Sequence, residues 1–389
     1  MQTQRDPTAL QYNGLTTHTV GLPADAYFDA RNYEHELQRI WYRHWFYVCR
    51  ASEMTQPRSF RTVELGNQRL LLVRGDDGVL RGFHNTCRHR GAALCRESAG
   101  RLRSGAITCP YHAWTFSLQG DLLRTSSKEH AAGFDAAALS LYKISVRESQ
   151  GFIFIALTDD PPAFDMAFDP PLSRLQTWPL QDLKVGHVLV KTLQCNWKIF
   201  WENFNECLHC PTVHPSLSQL VPIYGRGIVR QGDDPNWAQN ADNPDPKFRG
   251  GLRSGATTWS LDGQVTGIPF AGLSDDDRRR GAVYITSLPS LFMVGHADYV
   301  RTVRLRPLSP ESTELRVEYL FSGETLAKPG FDMRNIVDFA NTVLAEDAEV
   351  CELNQRGLHA APHVTGVVMP EEYVVKQFHD WVRAALARV

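Results

Sequence analysis

The sequence predicts an α+β protein: an all-β domain followed by a domain in which helices pack on an antiparallel sheet. Three observations carry this reading. The chain has 389 residues, more than one ordinary hydrophobic core serves. From about residue 58 to 157 it is written in short β segments broken by turns. Beyond a Pro- and Asp-rich stretch at 158–171, longer strand patterns alternate with helical ones. The predicted division is a helical N-terminal segment over 1–45 packing on the last domain, a β domain over 46–157 and an α+β domain over 158–389.

Taken in order, 24–48 (ADAYFDARNYEHELQRIWYRHWFYV) reads as an amphipathic helix running into an aromatic-rich strand, with Ile40, Trp41, Trp45 and Phe46 as its apolar content. In SFRTVELGNQRLLLVRGDDGVLRGFHN, Gly-Asn and Asp-Asp-Gly separate strand-like runs and mark hairpins. RLRSGAITCPYH, WTFSLQGDLL, LYKISVRESQ and GFIFIAL continue the β pattern. VGHVLVKTLQC is a strand and NWKIFWENFNECLHC a helix. The polar, Gly/Pro/Asn/Asp-rich stretch 231–255 reads as a long surface loop. Residues 280–321 read as antiparallel strands with SPES as one turn, and DMRNIVDFANTVLAEDAEVCELNQRGL as a long helix.

Bulk properties narrow the function. A net charge of −2 gives no reason to expect nucleic acid or an anionic membrane as a partner. No apolar run approaches the roughly 20 residues that span a bilayer. The polar start MQTQRDPTALQYNG lacks the apolar core of a secretory signal, which predicts a cytoplasmic protein. The eight cysteines do not form a disulfide framework; outside one paired motif they read as buried thiols.

That motif is CRHRG at 87–91 and CPYHAWTF at 109–116: C-x-H, nineteen residues, then C-x2-H. Two Cys and two His in short turns fit a structural zinc ion. They also fit a two-iron, two-sulfide cluster in which His replaces Cys on one iron. Zinc ribbons use C-x2-C knuckles, so the C-x-H half favours the cluster.

A second constellation lies at 202–215, ENFNECLHCPTVHP. Glu206 and His209, three apart, share a helical face. His209 and His214, five apart, would lie about 140° around an undistorted helix. Pro211 between them breaks or kinks it and can bring both imidazoles to one point. Two His need a carboxylate to make the facial triad of a non-heme Fe(II) oxygenase. Val343, Asp347, Val350 and Asn354 form an i, i+4, i+7, i+11 stripe on the late helix, with Phe339 and Ala340 above it. An acid on an apolar stripe is costly unless paired or bound to metal, and this singles out Asp347 over Glu346 and Glu349.

Together these motifs resemble the oxygenase subunit of Rieske non-heme iron oxygenases, over nearly the whole chain. The resemblance implies an all-β Rieske [2Fe-2S] domain and a helix-grip-like catalytic domain. It implies that Cys87 and Cys109 hold one cluster iron, and His89 and His112 the other. Trp114 would be a packing residue beside the cluster. His209, His214 and Asp347, eight residues before Gln355, would hold a mononuclear Fe(II). Glu206 stands where the family has an acid bridging the iron of one subunit to the cluster of the next; most ring-hydroxylating members have Asp there.

The implied reaction uses O2 as cosubstrate. The chain has no G-x-G-x-x-G fingerprint, so NAD(P)H would act only through a separate flavin/iron-sulfur reductase. A homotrimer, a small-molecule substrate and no nucleic-acid or membrane partner follow from the resemblance and the bulk composition. The text NFNECLHC and a bridging Glu are similar to the branch acting on quaternary ammonium compounds (carnitine, glycine betaine, proline betaine), with N-demethylation as the outcome. Phe204, Trp259, Phe270, Tyr284 and Phe292 are candidate aromatics for such a cation. His296 and Asp298 are candidates for the same pocket. The alternative reading is hydroxylation or O-demethylation of an aromatic acid, and a remoter one a non-catalytic electron carrier or zinc-binding protein.

Overall fold

The computed structural model describes residues 11–127 and 132–388. Two antiparallel sheets organise the first half. One has seven strands in the order Phe46–Arg50, Phe152–Ala156, Lys143–Ser149, Leu80–His84, Gln68–Arg74, Ser59–Leu65, Ala99–Arg101. The other has three, Ala106–Thr108, Thr115–Ser117 and Leu122–Arg124. Both Cys/His motifs fall in the loops at one edge of this β unit, over a core of Leu71, Val73, Phe83, Ile107 and Phe116.

The second half is built on a five-stranded antiparallel sheet, ordered Lys184–Leu193, Ser312–Phe321, Val300–Ser309, Leu291–Gly295, Val283–Ser287. Helices Trp197–Phe204 and Arg334–Leu358 pack together against it. The period-2 alternation along Val300–Ser309 sorts its side chains. Arg304 and Arg306 pair with Glu314 at 2.9 and 2.7 Å, whereas Arg301 points to the opposite face with Val303 and Leu305.

One core runs through both halves: Phe46, Val48, Ile153 and Ile155 join Trp197, Trp201, Phe292 and Val303. Buried polar ties reinforce the junction. Tyr47 donates to Glu318 at 2.6 Å, and Arg50 donates to the carbonyls of Leu180 and Leu183 at 2.6 and 3.1 Å. Ahead of it, Ala30–Glu36 is a helix capped by Asp29, widening into a π turn at Leu37–Trp41. Glu36 is sealed against the helix Trp197–Phe204, accepting from Lys198 Nζ (2.5 Å) and Trp197 Nε1 (2.7 Å). Burying two charges costs desolvation that their close contact offsets, so removing either partner alone would leave the other buried and unpaired.

The structure departs from the sequence pattern in several places. The helix expected over 196–210 stops at Phe204, and residues 205–209 form an irregular turn. The 231–255 loop carries helical turns at Gln231–Asp233, Trp237–Asn240 and Pro246–Arg249, with Asp233 and Asp234 buried. Asp233 accepts from the Val229 and Arg230 N–H groups, and Asp234 pairs with Arg226, so an apparently polar loop is folded around its own acids. Among the elements not expected are the strands Thr19–Pro23 and Thr365–Val368, which pair antiparallel, and the helix Tyr373–Ala387. The 1–45 segment is thus part strand as well as helix.

Cys207 and Cys210, read as buried thiols, form a disulfide, made possible by the sharp turn that brings their Cα atoms to 5.0 Å. No helix among the described residues is long and apolar enough to cross a membrane.

Candidate metal centres

The two Cys/His loops share one backbone design. Cys87 N–H donates to Ala92 O at 2.8 Å and Cys109 N–H to Trp114 O at 2.8 Å. Four residues after each Cys, a left-handed residue (Gly91, φ 76°; Ala113, φ 56°) returns its N–H to the Cys carbonyl at 3.0 and 3.1 Å. Glycine adopts that conformation freely; alanine does so at a cost. The result is two matched knuckles facing each other.

Cys87 and Cys109 lie buried at their base, and the His89 and His112 rings stand 4.8 Å apart at their tips. Burial, reinforced by the neighbouring Cys109, pushes the Cys87 thiol up. Trp114 stacks on His89 at 4.9 Å, its ring 9° from parallel. His89 is exposed and His112 half-buried beside exposed Tyr111. Two thiols inside and two imidazoles at the rim suit a [2Fe-2S] cluster with one Cys-bound and one His-bound iron. Cys95 stands apart: its backbone is clamped by Asn85, and burial pushes its thiol up to about 11.

The second centre is assembled from distant segments. Glu206 and His209 do not share a helical face; both sit in the turn after Phe204, closed by the Cys207–Cys210 disulfide. Pro211 does not kink a long helix but opens the short one at Cys210–Val213, and Pro215 opens the next after His214. His214, at φ −118° and ψ 72°, is the joint that turns its ring toward His209; the rings lie 5.1 Å apart.

Asp347 reaches in from the helix Arg334–Leu358. Its Oδ1 lies 2.9 Å from His214 Nε2 and 3.5 Å from His209 Nε2. The buried stripe on that helix is Phe339, Ala340, Val343, Leu344, Ala348, Cys351, Gln355 and Leu358; Asn354, expected on it, is exposed. Asp347 borders the stripe and faces the cavity.

Each histidine is held from behind by a carboxylate. Glu206 Oε1 accepts from His209 Nδ1 at 2.6 Å, and Glu346 Oε2 from His214 Nδ1 at 2.8 Å. Carboxylates only accept, so both Nδ1 atoms carry a proton; both Nε2 atoms turn to Asp347, where a metal ion would take the place of their second proton. Burial alone would lower the His209 pKa, but the Asp347 and Glu206 carboxylates overcome it and raise it to about 9. Burial pushes the Asp347 carboxyl up, and its bonds to His209 and His214 reverse this and leave it lowered. Two Nε2 atoms and one carboxylate oxygen on a shared point, with acids behind the rings, fit a divalent iron in a two-His, one-carboxylate site. Cys210 Sγ is also near, 3.9 Å from His209 Nε2, but belongs to the disulfide.

A cavity of about 130 Å³ opens on these groups. Phe204, Trp259, Tyr284 and Phe292 line it, and so do Phe200, Tyr224 and Arg301, which were not anticipated. Phe204 stacks on Phe292 at 4.1 Å and meets Tyr284 edge-on at 5.9 Å, and Trp259 lies between Tyr224 and Tyr284, 6.2 Å from each. Phe270 is not part of it: it is buried in a separate core with Trp178, Leu180 and Leu273. His296 and Asp298 are not on the wall either. Asp298 accepts from Thr258 Oγ1 and the Thr266 and Gly267 N–H groups, which fixes a turn, and His296 Nδ1 donates to Gly281 O. Glu346, Tyr224 and Phe200 carried no local signal. Arg301 did: strand parity puts it opposite Arg304 and Arg306.

A β unit with paired Cys/His knuckles beside a two-His, one-carboxylate pocket defines a Rieske-type non-heme iron oxygenase. Residues 176–388 match the ring hydroxylating alpha subunit (catalytic domain) and residues 44–135 the Rieske [2Fe-2S] domain, and the chain belongs to this family. It is 29% identical over 386 residues to the glycine betaine monooxygenase oxygenase subunit of Chromohalobacter salexigens, covering 92% of this chain and 84% of that one. It is 29% identical over 340 residues to the carnitine monooxygenase oxygenase subunit of Acinetobacter baumannii, covering 86% and 84%. Among solved structures, a quaternary ammonium Rieske monooxygenase described with carnitine oxidation and inter-subunit electron transfer superposes with a TM-score of 0.73. It is 22% identical, and 94% of this chain and 96% of that one are covered. The cofactors of the class are the Rieske [2Fe-2S] cluster and a mononuclear iron, its electrons come from a separate reductase, and its substrate is a small molecule.

Proposed function

We propose that this chain oxygenates a small quaternary ammonium compound at a carbon next to nitrogen, with N-demethylation as the outcome. The observation that carries the reading is the aromatic wall of Phe204, Tyr224, Trp259, Tyr284 and Phe292 around a cavity whose floor is His209, His214 and Asp347. Aromatic faces hold a methylated ammonium by cation–π attraction, and a carboxylate-rich floor draws the cation toward the reacting point. The named relatives act on substrates of this class.

In this reading Cys87, Cys109, His89 and His112 hold the cluster, and His209, His214 and Asp347 the iron. When bound, the two groups supply electron transfer and O2 activation. The chain supplies the rest. Glu346 and Glu206 keep each imidazole in the tautomer that offers Nε2. The aromatic wall excludes water and orients the N-methyl group. Glu206 also lines a second opening on the outer surface, with His209, Glu202, Glu372 and His379.

Exposed Val367 lines that opening, exposed Val20, Leu208 and Met369 are chain neighbours of its lining residues Gly21, His209 and Val368, and exposed Tyr111, Leu123 and Tyr142 lie on the Cys/His domain. Two such patches on one chain suit a head-to-tail homotrimer in which Glu206 meets the His112 edge of the next subunit. The direct test is formaldehyde release with a reductase, NADH and O2, from glycine betaine and carnitine against methoxylated and plain aromatic acids. Formaldehyde from the betaines is expected; oxygenated product from an aromatic acid alone overturns the reading.

A further inference from the structure

Arg301 is the one charged residue on the cavity wall whose charge the fold leaves unanswered. It is 6% exposed, and its Nε is sealed off without a partner. Among the described residues it forms no ion pair, donates no hydrogen bond and stacks on no ring. The other arginines of its sheet are matched: Arg304 and Arg306 by Glu314, Arg316 by Glu318 at 2.8 Å. Strand register puts Arg301 in one row with Tyr284 and Val294 on one side and Tyr319 on the other, on the cavity face of the sheet. A buried cation without a counter-ion costs several kcal/mol. A guanidinium kept so, on the wall of a substrate cavity, is a fork presented to a planar anion.

A neighbouring cavity has the same sign. Tyr224, Val229 and Tyr284 also line a larger neighbouring cavity of about 700 Å³. Its wall includes five arginines and no acid: Arg174, Arg230, Arg249, Arg279 and Arg280. Three of them are held by Asp276 and Asp277, whereas Arg249 has no acid partner among the described residues. Such a cavity raises the local concentration of anions.

We propose that Arg301 is the specificity-determining residue that takes the substrate's carboxylate, so that the ligand is a zwitterion: a betaine rather than an amino alcohol. The inference deepens the quaternary-ammonium reading and rests on it for the cationic half of the ligand. With the carboxylate on Arg301 and the ammonium among the aromatic rings, the N-methyl groups face His209, His214 and Asp347.

Three probes separate the halves: glycine betaine has both charges, choline only the cation, benzoate only the anion. Binding is measured calorimetrically on the oxidised, metal-loaded enzyme, with the visible spectrum of the cluster checking the fold. The wild type is expected to prefer glycine betaine to choline at least about 10-fold; equal affinity overturns the proposal. Arg301→Gln is expected to weaken glycine betaine about 10- to 100-fold, the range for a lost charged hydrogen bond, and to collapse the betaine-to-choline ratio. An unchanged ratio overturns it.

Arg301→Lys keeps the charge but not the fork, and is expected to recover only part of the preference, between that of Arg301→Gln and the wild type. If Arg301→Gln fails to fold, the Lys variant and the wild-type ratio still decide. Benzoate binding that is lost in Arg301→Gln, with neither ammonium compound bound, keeps the anchor and refutes the cationic half. Failure of both betaine and benzoate to bind the wild type refutes the anchor.

Discussion

The two candidate metal centres are built by opposite strategies. The Cys/His centre comes from one short stretch, 87–112, folded into two matched knuckles whose geometry is set by local hydrogen bonds. The His209/His214/Asp347 centre joins an irregular turn to a helix well over 100 residues later, and its rings are steered by acids behind them. The first presents its histidines at the surface, where electrons can arrive. The second buries His214 and sets both rings on an aromatic-walled cavity, where a substrate can be held away from water, leaving His209 half-buried. A local centre tolerates exposure because its own loops shape it; a long-range one needs the whole core to stay closed.

The sharpest way to break this contrast is to remove one ligand from each centre. Asp347→Ala is expected to abolish turnover and lose one iron per chain while leaving the visible cluster spectrum intact; Cys109→Ala is expected to bleach the spectrum and keep the mononuclear iron. Iron analysis with absorption spectroscopy reads both, and loss of both centres from either change would show that they are not independent.

A smaller effect comes from the acids behind the rings. Glu346→Ala, which leaves His214 Nδ1 without its acceptor, is expected to cost about 10- to 100-fold in iron affinity or activity. Glu206→Gln is expected to retain both metals but lose turnover in multiple-turnover assays. Single-turnover product from a pre-reduced Glu206→Gln sample distinguishes an electron bridge from a misplaced His209, and normal steady-state yield would sink the bridging role.

The third concerns long-range closure. Gln355 accepts from the buried Asn196 N–H at 2.8 Å and donates to Glu311 at 3.0 Å, tying the helix of Asp347 to the start of the helix that leads to His209. Gln355→Leu strands that N–H and is expected to cost about 1–3 kcal/mol of stability. Chemical denaturation of the catalytic core reads it, and an unchanged midpoint would remove Gln355 from the closure.

The smallest lies in the knuckles: Ala113→Gly relieves the left-handed alanine and is expected to stabilise the β domain by about 1 kcal/mol or less, seen as a higher melting temperature. A lower one would mean that the alanine methyl packs usefully.

The same contrast explains what could be read in advance. Cys87, His89, Cys109 and His112 were legible because their meaning lies in spacing within one loop pair. The five strands of the catalytic sheet and the helix of Asp347 were legible from periodicity. Glu346 carries no local signal because it lies off the buried stripe; only the fold brings it to His214. The turn that carries Glu206 was invisible because helix propensity runs on past Phe204, and only the disulfide and the prolines end it. Phe270 failed because aromatic identity does not say which of two cores a ring joins. The helix Tyr373–Ala387 could have been found: Val375, Phe378, His379, Val382 and Ala385 follow helical spacing.

The small sheet of Thr19–Pro23 and Thr365–Val368 has a consequence for how the molecule comes apart. Gly21, Val367 and Val368 from that sheet wall the opening where Glu206 and His209 meet the outside. Two distant stretches of chain therefore form a clasp over one threshold. Peeling either strand away leaves the other without its sheet partner and opens the threshold beside Glu206 and His209.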